Sequence, residues 1–107
     1  MARRKKSRGF VLEGLIHSQD GAKLRPLWRA FATGGTWERI GRASTRRARY
    51  RHKAYSGRLR LEWWGPAIKF WIEDPESSGR IGGAFVGHVQ RHGRALVDRV
   101  DLRFCAV

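Results

Sequence analysis

A chain of 107 residues with 23 lysines and arginines against 9 acids carries a formal charge of +14, which suits one compact domain and selects polyanionic partners. Five tryptophans within a 41% apolar composition supply enough bulk for a core, which argues against wholesale disorder. The single cysteine, Cys105, excludes an intramolecular disulfide and a cysteine-based metal framework.

Residues 1–8 hold Arg3, Arg4, Lys5, Lys6 and Arg8 and almost no core-forming side chains, so they read as a flexible basic arm ahead of a domain at 9–107. The arm resembles the charged end of a secretion signal, but the apolar run behind it is interrupted at Glu13 and His17. No stretch is long enough to span a bilayer and no continuous amphipathic helix is visible, so a cytoplasmic protein without a membrane partner is expected.

Phe10 to Ile16 is rich in β-branched and aromatic residues and reads as a strand, with Gly14 marking a bulge or tight bend and Ser18-Gln19-Asp20-Gly21 a turn. Leu24 to Ala32 has apolar residues at helical intervals, yet Pro26 and the alternation of Trp28, Ala30 and Ala32 favour a strand. Thr33 to Gly57 reads as a long basic insertion, within which Thr36 could also cap a short helix. Arg58 to Trp64 alternates cleanly, with Leu59, Leu61 and Trp63 on one face and Arg58, Arg60 and Glu62 on the other. After Gly65-Pro66, residues 67–73 fit either a strand or a short helix. Residues 74–79 form a loop. Ile81 to Gln90 and Ala95 to Phe104 then read as a hairpin whose glycines bend the first strand. The expected fold is all-β or β-rich α+β: a small five- to six-stranded barrel with the basic insertion between strands 2 and 3.

In order along the chain, Val11-Leu12-Glu13-Gly14-Leu15-Ile16, Gly21 through Ala32, Trp63-Trp64-Gly65 with Ala67, Gly79-Arg80-Ile81 through Phe85-Val86-Gly87, and Asp98-Arg99-Val100-Asp101-Leu102 fall where successive strands of a known family would lie. The pattern resembles the single-stranded-DNA-binding proteins and the related primosomal replication protein, and it covers most of residues 9–104. That resemblance implies an oligonucleotide-binding (OB) barrel in which the segment between the second and third strands contacts DNA. The 107 residues depart from the family's pattern in closing on Phe104-Cys105-Ala106-Val107 rather than on acids, so recruitment by an acidic tail is not expected, and in the strongly basic character of residues 33–57.

Between Arg39 and Arg60 lie nine basic residues and no acid: Arg39, Arg42, Arg46, Arg47, Arg49, Arg51, Lys53, Arg58 and Arg60. Guanidinium forks grip phosphate oxygens, and aromatic rings among them stack on bases, which is the physics of single-strand binding. Trp37, Tyr50, Tyr55, Trp64 and Trp71 are the candidate platforms, while Trp28 and Trp63 read as core. The expected function is therefore low-specificity binding of single-stranded DNA or RNA by the arm, the basic segment and these rings. Docking on a nucleoprotein complex as a small mobile-element or phage-type inhibitor, or a structural role in a ribonucleoprotein, are the alternatives, and a homo-oligomer is left open.

The histidines and the lone cysteine lack zinc-binding spacing, the acids Glu73, Asp74 and Glu76 sit beside Pro75 in a loop, and the glycines of 79–87 lack a phosphate-loop ending. No enzyme activity, metal or cofactor is expected from these features.

Overall fold

The computed structural model describes residues 10–19, 24–42, 44–75 and 79–106. The expected arm at 1–8, with Arg3, Arg4, Lys5, Lys6 and Arg8, lies outside them, as does part of the turn at 18–21.

The chain order is β1 (Phe10–His17), α1 (Arg25–Thr33), β2 (Trp37–Arg39), β3 (Arg47–His52), β4 (Arg58–Trp64), β5 (Ala67–Asp74), α2 (Arg80–Gly93) and β6 (Arg99–Ala106). The six strands form one antiparallel sheet in the order β2-β3-β4-β5-β1-β6. The strand-rich character expected from the sequence holds. The sheet is open, however, with β2 and β6 as its edges, where closure into a barrel was expected.

Period-2 alternation divides each strand between two environments. Leu12 and Ile16 of β1, Ala48 and Tyr50 of β3, Leu59 and Leu61 of β4, and Ile68, Phe70 and Ile72 of β5 all point to one face. Both helices close over that face: Leu24 at the N-cap of α1, Leu27 and Phe31 within it, and Ile81, Phe85 and Val89 from α2 complete a single core. Phe85 links the layers, with its ring 5.7 Å from Phe31 and 4.5 Å from Phe70.

Two segments expected as strands are these helices. In α1, Pro26 lies in the first turn, where the missing N–H costs nothing, and Leu27 and Phe31 bury at a spacing of one helical turn. In α2, Ile81, Phe85, His88 and Val89 recur at helical intervals on the buried side. Its glycines therefore belong to a helix rather than to a bent strand; a Cβ on Gly82 would press on the Leu12 side chain. The segment at 67–73, left open between helix and strand, is β5. The expected insertion at 33–57 supplies two further strands, β2 and β3, so it extends the sheet rather than standing off as a loop.

Gly14 has a specific task. A Cβ there would overlap the Asp101 carbonyl oxygen of β6 and the rim of the Phe70 ring, so only glycine lets β6 approach β1 at this point. Among the described residues, no helix is long and apolar enough to cross a membrane.

Candidate functional site

The face of the sheet opposite the helices is the site. Three strands with alternating sequences place their inward residues in the core and so must turn every second residue outward. β3 turns out Arg47, Arg49 and Arg51; β4 turns out Arg58, Arg60, Glu62 and Trp64; β5 turns out Lys69, Trp71 and Glu73.

Register then sets which of these meet. Arg49 lies opposite Arg60, which lies opposite Trp71. One step along, Glu38 of β2 faces Arg51, Arg51 faces Arg58, and Arg58 faces Glu73. In the other direction Arg47 faces Glu62 and Glu62 faces Lys69. Two arginine–arginine pairs thus sit directly across neighbouring strands, an arrangement that destabilises a sheet through like-charge repulsion.

Neutralisation is partial. Arg51 Nε donates to Glu38 Oε1 at 2.8 Å, and Arg47 Nε lies 3.4 Å from Glu62 Oε2. Among the described residues Arg49, Arg58 and Arg60 form no ion pair; the Arg60 guanidinium carbon instead lies over the Trp71 ring, 4.0 Å from its centroid. Arg49, Arg58, Arg60 and Trp71 border a hollow of about 270 Å³ that Val11, Leu59 and Glu73 also line.

Beside the hollow runs a ladder of cations and rings. Lys69 Nζ is 5.3 Å from the centroids of both Trp64 and Trp71, whose rings meet edge to face at 6.2 Å. Trp64 is 48% exposed, and its Nε1 donates to Glu62 Oε1 at 2.7 Å, which fixes the orientation of the indole. Lys69 is held by Glu13 at 2.8 Å. On the β6 side the same face carries Arg99, Asp101 and Arg103. The Asp101 carboxyl is held below the usual carboxylate range by a hydrogen bond from His17 and by the charge of Arg99.

The remaining residues singled out in the sequence fall elsewhere. Trp37 and Tyr50 are buried, at 3% and 2% exposure, and pack on Phe31, so these two rings belong to the core and are not surface platforms. Burial raises the Tyr50 phenol above its ordinary pKa. Arg39 pairs with Tyr50 in register and therefore points to the helix side, while Arg42 and Arg46 are exposed in the β2–β3 connection. Lys53 and Tyr55 lie in the β3–β4 loop, where Tyr55 stacks on His52 at 4.6 Å. His52 Nδ1 accepts from the Ala54 and Tyr55 amides, and burial keeps its pKa below the ordinary histidine value. Trp28 and Trp63, read as core, are half-buried and stack at 5.3 Å against the core rather than within it, with Arg25 4.9 Å over Trp63.

Sequence reasoning missed Lys69, although its alternation with Trp71 in β5 is the signal that finds it. Among the described residues no three histidine, cysteine or acidic side chains gather as a metal site. No family model matches the chain, and neither a curated protein nor a solved structure matches it.

Proposed function

We propose that the open face of the sheet binds single-stranded nucleic acid, with the phosphodiester on Arg49, Arg58 and Arg60 and bases on Trp64 and its neighbour Trp71. One observation carries this reading: arginines stand in cross-strand register on a solvent-facing sheet without enough acids to neutralise them. Such a face is at its lowest free energy with an anion on it, and a polyphosphate backbone supplies repeated anions and releases counterions on binding.

The ring ladder favours single strands. Bases in a duplex have their π-faces covered, whereas a base in a single strand can lie on Trp64, a contribution of about 1–3 kcal/mol per stacked base. The proposal keeps the mode of binding implied by the resemblance to single-stranded-DNA-binding proteins, phosphates on arginine and bases on rings, without requiring their barrel. Arg42, Arg46, Lys53 and Tyr55 border the same strands in connections and extend the basic path. The activity proposed is binding, not catalysis.

The test is a tryptophan-fluorescence titration with DNA and RNA oligonucleotides, single-stranded and duplex, at several salt concentrations. Quenching by single strands, lost in Trp64→Ala, and a log–log salt slope of about −0.7 per neutralised phosphate are expected. Equal binding of duplex, with Trp64→Ala unaffected, would overturn the single-strand assignment.

A further inference from the structure

The outer edge of β6 is the longest row of strand backbone that nothing in the described residues covers. β6 runs from Arg99 to Ala106 at the end of the sheet and pairs with β1 in unbroken register. The opposite edge, β2, has only three residues. Edge strands are usually blunted by shortness, charge, proline or a bulge; β6 carries charge in Arg99, Asp101 and Arg103 and has none of the others. Apolar side chains flank it: Leu102 and Val86 are 42% and 38% exposed, and both line a hollow of about 400 Å³ between α2 and β1 that also includes Leu12, Ile72 and Gly83.

We propose that a second copy of this chain pairs here, β6 against β6 antiparallel, about a two-fold axis midway between Leu102 and its copy. A strand can become the antiparallel neighbour of its own copy only through a two-fold perpendicular to the sheet. That operation keeps like faces together, so the axis must pass midway between one residue and its own copy.

The charges of β6 choose among the registers. Centred on Asp101, the pairing sets Asp101 against its own copy and Arg99 against Arg103. Centred on Arg103, it sets two arginines face to face. Centred on Val100, it opposes Arg99 and Asp101 but overlaps only Arg99 to Asp101 of the strand. Centred on Leu102, it sets Asp101 opposite Arg103 twice, Leu102 against itself, and overlaps the strand from Arg99 to Cys105. Arg103 would leave only a long ion pair for that partner, its side chain being 75% exposed and 3.7 Å from Glu13 Oε1, and Asp101 would add this contact to those it makes with His17 and Arg99. The same axis brings the exposed Leu102 side chains together beside Val86. Both open faces end on one side of a continuous sheet. The pairing uses backbone and apolar groups at the edge and does not rest on the nucleic-acid reading.

The experiment uses the full chain, freed of nucleic acid in high salt. Sedimentation equilibrium is expected to give twice the 12.3 kDa chain mass. On a Cys105→Ala background, Leu102→Cys is expected to form a disulfide-linked dimer under mild oxidation, since directly opposed strand residues lie within disulfide reach. Arg99→Cys, which would face position 105, is expected not to. Arg103→Glu is expected to weaken the dimer about tenfold or more, and Asp101→Arg with Arg103→Glu to restore it. A monomer at the highest soluble concentration, or cross-linking at 99 as readily as at 102, would overturn the proposal. If Arg103→Glu fails to fold by circular dichroism, the cysteine pair still decides.

Discussion

His88 brings two ring nitrogens into the core with no hydrogen-bond partner among the described groups, packed 4.2 Å from Phe31 and 4.4 Å from His92. Burial first, then the charges of His92 and Arg91, lower its pKa from 6.5 to about 4. The unfolded chain takes up this proton near pH 6.5 and the folded chain only near 4, so stability is intact above the higher value and falls as pH drops between them. The loss at its fullest is on the order of 3 kcal/mol. Urea unfolding at pH 7 and pH 4.5 should record the decline, and His88→Leu should flatten it. Gly14 is the other residue with no substitute: Gly14→Ala should cost about 2 kcal/mol or more in the same assay, because a methyl group would drive β6 from β1. The residues of the candidate site were legible in part. The sequence marks the arginines by their density, but not that Tyr50, lying between Arg49 and Arg51, turns inward. The alternation Arg47, Arg49, Arg51 against Ala48, Tyr50 was present, and a segment so charged did not suggest a strand with a buried side.

At the scale of elements, β3 and β4 oppose each other electrostatically while pairing through their backbones and the apolar side chains beneath. Arg49→Gln removes one member of an arginine–arginine pair. It should raise stability by about 0.2–1 kcal/mol, read by urea unfolding, and reduce the salt slope of oligonucleotide binding by about 0.7. A variant that gains stability as it loses affinity separates a functional charge cluster from a merely solvated one. β1, β4 and β6 were readable from local composition because alternation, β-branching and burial agree there. α1 and α2 were not. Pro26 weighs against a helix interior but is neutral in a first turn, and which of these applies depends on where the helix starts. Gly82, Gly83 and Gly87 lower helical propensity, and only tertiary burial of Ile81, Phe85 and Val89 overrides them.

The whole molecule is two layers with opposite surfaces, helices over an apolar face and solvent over a charged one. That division was not legible from the sequence, because an open sheet and a barrel share the same alternation and differ only in whether the two edge strands, here β2 and β6, pair with each other. Here β1, synthesised first, lies between β5 and β6, the two strands made last. Both of its sides therefore wait for distant chain. Residues 10–17 find one partner only once residues 67–74 are made and the other only with residues 99–106. The loops that must close are long, and their entropy has to be overcome before these contacts form. Refolding followed by stopped-flow fluorescence should accordingly be slow for a chain of this length, in milliseconds or longer. Time, as much as energy, is thus written into the strand order: during synthesis one side of an apolar strand stays unpaired until the chain is nearly complete. Chains cut before Arg99 would leave that strand as a bare edge, prone to aggregate.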